Sequence, residues 1–283
     1  MVVAVSAAAC STAPPAKRAK ILPAQILPAP AGLIAGGDPQ ANGTMWLVAG
    51  SATAKTLQEI NLVSGTIEKI VPIGAKADSV VESPTGVLAV GYSAANGPVE
   101  FRSGTSGSLL HAVTVGAPVK AVASGSDGTT FFVLSGNSSE TSVNTVSATG
   151  AAEPPSIGVS LSTIAVAVGT GDDQLYLLQS SGSVVVTPLG VPAGQTPASG
   201  SFFVGNDPHQ LALSADGSLL FVLKGSESSP NIGIFNAATG QVRKVLPAPA
   251  NSVDLVTAID NAHIYVMIGT AAVGNIQVFP VGV

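Results

Sequence analysis

Short apolar runs of Val, Ile, Leu and Ala, each bounded by Gly, Ser, Asn or Pro, recur along the whole chain. Runs of that length with such boundaries predict strands and turns. Four segments align directly: Asn42-Gly-Thr-Met-Trp-Leu-Val-Ala-Gly50, Asp127-Gly-Thr-Thr-Phe-Phe-Val-Leu-Ser-Gly136, Asp216-Gly-Ser-Leu-Leu-Phe-Val-Leu-Lys-Gly225 and Asp260-Asn-Ala-His-Ile-Tyr-Val-Met-Ile-Gly269. Each opens on a turn signal, continues as an apolar strand with a large residue near its centre, and closes on a small residue. Pro84-Thr-Gly-Val-Leu-Ala-Val-Gly91 and Asp173-Gln-Leu-Tyr-Leu-Leu-Gln179 are more degenerate copies. The central positions Trp46, Ala89, Phe132, Tyr176, Phe221 and Tyr265 are separated by 43, 43, 44, 45 and 44 residues. A second series keeps step: Gly65, Gly107, Gly150, Gly194 and Gly240, each in a turn that precedes the last strand of its unit, are spaced by 42 to 46.

Each unit reads as four short strands. In the fifth these are roughly 209–214, 218–224, 231–236 and 241–247. Four antiparallel strands in a period of about 40–45 residues describe a propeller blade. One such sheet cannot bury both faces alone. Set radially, each packs between two neighbours, and the ring leaves no long exposed edge. The sequence therefore predicts an all-β, six-bladed β-propeller of four-stranded antiparallel blades, with the large central residues packing between blades. The sixth unit supplies 252–257, 263–268 and 275–281 and then the chain stops, one strand short. Lys20-Ile-Leu-Pro-Ala-Gln25 matches outer-strand sequence elsewhere, such as Lys244-Val-Leu-Pro-Ala-Pro249 and Lys69-Ile-Val-Pro-Ile-Gly74. About residues 19–28 are thus expected to complete the last blade.

Asp207-Pro-His-Gln-Leu-Ala-Leu-Ser-Ala-Asp-Gly-Ser-Leu-Leu-Phe-Val-Leu-Lys, followed by Ile234-Phe-Asn-Ala-Ala-Thr-Gly240, resembles the YVTN-type, lactonase-like propeller repeat. The other units keep parts of the pattern and the fourth keeps least; the resemblance covers about residues 31–283. It implies a propeller of a kind commonly secreted or surface-attached in bacteria. It implies no particular reaction, because propellers host many unrelated functions.

Composition narrows the picture. Charged residues are only 10% of the chain against roughly 25% in an average soluble domain. The net charge is −5, with eleven scattered basic residues. That balance argues against a nucleic-acid partner, which needs clustered Lys and Arg. The one basic cluster, Lys17, Arg18 and Lys20, reads as a solvated linker. The single cysteine, Cys10, has no internal partner for a disulfide. Ala7-Ala8-Ala9-Cys10, after the apolar stretch from Met1 and before Ser11-Thr-Ala-Pro-Pro15, resembles a bacterial lipobox at the end of a signal peptide. It departs from that pattern at Ala7, where Leu is usual, and in lacking a basic residue ahead of the apolar stretch. Residues 1–18 are expected to be a signal and linker segment with Cys10 as the lipidation site, and 19–283 the propeller, monomeric and held outside the cytoplasm at the membrane.

Propeller ligands are expected at the axial mouth, where inner strands converge. Aligning the inner strands on Ser83, Ser124 and Ser214 brings Asp78, Val119 and His209 into register, then Ser79, Lys120 and Gln210, with Asp254 beside Gln210. Asp78, Lys120, His209, Gln210 and Asp254 are thus candidates to ring one end of the channel. Such mixed polarity suits a small polar ligand, or simply caps a water-filled axis. His111, His209 and His263 fall on different strand positions of different blades and are not expected to converge on a metal. Asp172-Asp173 occupies a turn position, Ser124-Gly-Ser-Asp-Gly128 reads as a turn rather than a sialidase Asp-box, and no Gly-x-Ser-x-Gly context surrounds a serine. Trp46 is alone, where a quinone-cofactor propeller would repeat its tryptophans. No cofactor is implied. Two functions stay open: an envelope binding or scaffold module meeting an envelope protein or a small polar ligand, and a lactonase-like hydrolase with a polar site at the channel mouth.

Overall fold

A computed structural model describes residues 25–150, 152–190 and 200–282, the side chains of 152–155 excepted. These residues form six four-stranded antiparallel sheets. In five of them the four strands follow one another in sequence, as the repeat predicts. Blade 5 runs Pro208–Leu213, Leu219–Ser226, Ser229–Asn236 and Val242–Pro247, within one residue of the expected bounds except where Ser226 and Ser229 lengthen a hairpin by two on each side.

The sixth sheet joins the two ends of the chain. Ser252–Thr257, His263–Gly269 and Gly274–Pro280 take Ile26–Ala29 as their fourth strand. The register sets Ile26 opposite Gln277, Leu27 opposite Ile276 and Ala29 opposite Gly274. The closing strand was expected over about 19–28, centred on Ile21-Leu-Pro-Ala24. The residues found in it are the next copy of the same four letters, Ile26-Leu-Pro-Ala29; residues 19–24 lie outside the described ones. The short link into blade 1 fixes the choice. Gly32, with φ of +69°, donates its N–H to Thr270 O at 2.8 Å and accepts from Gly50 N–H at 3.0 Å, so Leu33 must follow closely on Ala29.

The six central residues of the repeat do what their spacing implies. None of Trp46, Ala89, Phe132, Tyr176, Phe221 and Tyr265 is more than 4% exposed. Each belongs to a different apolar cluster, and each cluster spans one seam between adjacent blades. The core is therefore six radial wedges rather than one central mass. Small side chains line the narrow axial side of each wedge, for example Ala121 and Ala123 between blades 3 and 4. Where blade 2 offers only Ala89, Phe101 and Phe131 fill the same seam, ring centroids 5.1 Å apart. The second glycine series is explained equally directly: Gly65, Gly107 and Gly240 hold φ of 69–71°, a left-handed conformation that costs other residues steric strain. Neighbouring blades are also clasped turn to turn. Asp172 accepts from Ser126 N–H at 2.7 Å and Ser126 O–H at 3.0 Å, and Asn261 Oδ1 accepts from Asp216 N–H at 3.0 Å.

Candidate functional site

The inner strands of the six blades are Leu33–Gly36, Ala77–Glu82, Val119–Ser124, Thr163–Val168, Pro208–Leu213 and Ser252–Thr257. All six carry a register shift against their second strand at the same place, after the first residue. That shared irregularity sets them level around the axis. The ring where the strands begin is Ile34, Asp78, Lys120, Ile164, His209 and Val253. One step inward stand Ala35, Ser79, Ala121, Ala165, Gln210 and Asp254. At the far end the level is Asp38, Glu82, Ser124, Val168, Leu213 and Thr257. Between these levels lies an axial cavity of about 620 Å³.

The five residues singled out in the sequence all fall at the end where the inner strands begin, on two levels. Asp78, Lys120 and His209 share the outer ring; Gln210 and Asp254 share the inner one. The sequence alignment placed Lys120 one level too deep, beside Ser79 and Gln210. Gly125, not Ser124, occupies the position of Ser83 and Ser214: each of the three donates its N–H to the start of the second strand, at Thr130 O, Val87 O and Leu219 O. Asp78 is ion-paired to the buried Lys55 of blade 1 and accepts from Ser93 O–H. Lys120 Nζ donates to Thr141 Oγ1 at 3.1 Å. His209 Nε2 donates to Gly225 O at 2.5 Å, and its ring is not among the described groups lining the cavity. Gln210 Nε2 donates to Asp254 Oδ1 at 2.9 Å. Asp254 also accepts from Gly36 N–H at 2.9 Å and Leu255 N–H at 2.8 Å. Its burial nevertheless dominates those bonds and pushes its carboxyl up to about 6.

Two acids the sequence reading passed over complete the cavity wall. Asp38 follows Gly36 and Gly37 in blade 1, and no hydrogen bond reaches its carboxyl from the described residues. Burial, then the charge of Asp254, push it up to about 7. Glu82, from blade 2, is 5% exposed, and its Oε2 has no hydrogen-bond partner among the described residues. Burial first, then Glu59 and Asp38, push it up to about 8, while Lys69 acts the other way. The signal for both was present: they occupy one level of the inner strands, just before Ser83 and its equivalents. Gly36-Gly37-Asp38 reads locally as a turn, which hid it.

The seam between blades 1 and 2 is where the protein concentrates its charge. Lys69 pairs with Glu59 and lies 5.8 Å from the centroid of the Trp46 ring; Arg102 pairs with Glu100 at 2.7 Å, and Glu100 accepts from Tyr92 O–H at 2.6 Å. Glu82 sits among these groups without a hydrogen bond from the described residues, so its ionised form is costly. The sign follows. Below about pH 4.5 Glu82 is protonated in both folded and unfolded chains and costs nothing; as pH rises to about 8 the unfolded chain ionises first, and stability falls. Asp254 and Asp38 add to the same trend over lower ranges. The melting temperature is expected to be higher near about pH 5 than near about pH 9. Glu82→Gln should flatten that dependence and stabilise the fold by on the order of 2–4 kcal/mol at the alkaline end. Thermal melts across pH check this; a variant that melts below the parent at alkaline pH contradicts it.

The histidines lie apart, as their positions implied: His111 on the outer strand Leu109–Thr114, His209 on an inner strand, and His263 opening a second strand, where Nδ1 lies 2.7 Å from Asp260 Oδ2. Among the described residues no three His, Cys, Asp or Glu side chains are grouped as metal ligands. Cys10 lies outside the described residues. No protein-family model matches the chain, and no curated protein matches it. Its fold is similar to that of hydrazine synthase from Kuenenia stuttgartiensis, at 10% identity and a TM-score of 0.67 over 89% of this chain and 84% of that one. It is also similar to the β-propeller domain of Cps50 (Swd1) from Myceliophteria thermophila, at 10% identity and a TM-score of 0.64 over 90% of this chain and 99% of that one. At that identity the likeness concerns the fold alone, a β-propeller.

Proposed function

We propose that this chain is a bacterial cell-envelope binding module of the YVTN-type propeller kind, tethered by lipid on Cys10 and taking a small polar ligand at its axial channel. The observation that carries the reading is the channel itself. Six inner strands enclose a cavity of about 620 Å³ whose walls interleave Ala, Val and Leu with Ser, Thr, Gln and charged residues. Apolar residues with convergent polar groups among them are the ordinary build of a small-molecule site. The tether fits the closure: the strand that begins at Ile26 is the outermost of its blade, on the rim of the propeller. Fully extended, residues 11–24 would reach at most about 50 Å, leaving both faces of the propeller accessible. A partner protein bound on those faces is the scaffold form of the same reading.

The test is intact-mass measurement and fractionation of the full-length protein expressed in a bacterium. Membrane-associated protein carrying a lipid adduct, released to the soluble fraction by Cys10→Ser, is the expected result. Unlipidated protein in the cytosol overturns the envelope assignment. Hydrolysis of a lactone panel that is lost in Asp254→Asn would replace the binding reading by the hydrolase one.

A further inference from the structure

Resting on the reading of the axial channel as a ligand site, we infer that its ligand is a small aliphatic primary amine, whose ammonium group is held by Asp38. Four carboxyl side chains line the cavity, those of Asp38, Asp78, Glu82 and Asp254, against a single ammonium, that of Lys120. Asp78 and Lys120 stand at the end where the inner strands begin, and Asp78 is already neutralised by Lys55. Deeper in, the charged residues on the described wall are all acidic.

The acids there differ in what they leave free. Asp254 has its oxygens occupied by three N–H donors, so it contributes field rather than a contact. Asp38 accepts from none of the described residues, and Glu82 Oε2 is buried without a partner. A buried acceptor with no donor is costly, and a bound N–H donor relieves that cost. Ser79 Oγ, on the same wall, is likewise buried and unpartnered.

Asp38 stands on the cavity wall beside Pro39 and Gln40. Methyl-bearing residues such as Ala121, Ala123 and Val166 also stand on the wall, among Ser, Thr and Gln. They suit an alkyl stem. A divalent cation is disfavoured because no three carboxylate or imidazole ligands stand together among the described residues. A quaternary ammonium is disfavoured because no aromatic ring lines the cavity among the described residues, and rings are what recognise such groups. A primary ammonium offers both the charge and the N–H donors that Asp38 and Glu82 lack.

Calorimetric titration of the full chain with butylamine and 1,4-diaminobutane tests the inference, with 1-butanol, tetramethylammonium and magnesium as controls. The amines are expected to bind and raise the melting temperature, and the controls to do neither. Asp38→Asn should weaken amine binding by at least about tenfold without lowering the melting temperature of the free protein. His209→Ala, outside the cavity wall, should leave amine binding unchanged. Amine binding indifferent to Asp38→Asn overturns the inference, as does tighter binding of magnesium or tetramethylammonium. If no amine binds but a neutral polyol does, in a way that depends on Gln210, the channel reading stands and the amine is wrong. If nothing binds in the channel, both fail.

Discussion

Deleting residues 1–30 is expected to lower the melting temperature by about 10 °C or more, whereas deleting residues 1–24 should leave it near the parental value. The longer deletion removes the strand Ile26–Ala29 and with it the pairing of Gly274–Pro280 on that edge. It also removes Leu27, which is 1% exposed and packs in the seam of blades 6 and 1 against Ile276 and Val278. Loss of that side chain alone is expected to cost about 3 kcal/mol, and Leu27→Ala in the full chain isolates it. Beyond that, the deletion leaves the backbone groups of Gly274–Pro280 as an open edge, so aggregation on heating should increase. A 1–30 deletion as stable as the 1–24 deletion would mean that the ring closes without this strand.

Trp46→Ala is expected to destabilise the protein by about 3–5 kcal/mol, the range for emptying a large buried aromatic site. The indole is fully buried, and its Nε1–H donates to Gly104 O at 2.8 Å across the seam into blade 2. Gly107 approaches the ring so closely that a Cβ there would meet Cη2 at 3.0 Å, leaving no slack to collapse into the vacancy. Trp46→Phe separates the terms: it keeps most of the bulk, loses the hydrogen bond, and should cost about 1–3 kcal/mol. Urea unfolding measures both. An alanine variant losing less than about 1 kcal/mol would show that the seam repacks.

The blades were legible because every seam needs one packing residue at the same depth, and that need writes a period into the chain. Even Ala89 keeps its place, since Phe101 and Phe131 occupy the volume it gives up. What the period could not choose was between two identical four-residue stretches for the closing strand. Both Leu22 and Leu27 satisfy the pattern; the tie at Gly32, made across the fold to Thr270, decides between them. The channel was legible at its entrance and not in its depth. Counting from serines displaced Lys120 by one level, because Gly125 stands in blade 3 where its neighbours have Ser83 and Ser214. Asp38 and Glu82 escaped notice for a different reason. Acidic residues near turns are ordinary in sequence, and what makes these two unusual is the loss of water around them, which depends on five other blades.

The most direct test of a six-bladed ring closed by its own N-terminal strand is a cross-strand disulfide. Ile26 and Gln277 face each other at a non-hydrogen-bonded position, since the adjacent pair carries the Val278 N–H to Gln25 O bond. Side chains come closest at such positions, within the span a disulfide needs. In a Cys10→Ser background, Ile26→Cys with Gln277→Cys should oxidise to a single cross-linked monomer that melts above the reduced form. Failure of that pair to cross-link, or preferential cross-linking of Ile21→Cys with Gln277→Cys, would contradict the closure described here.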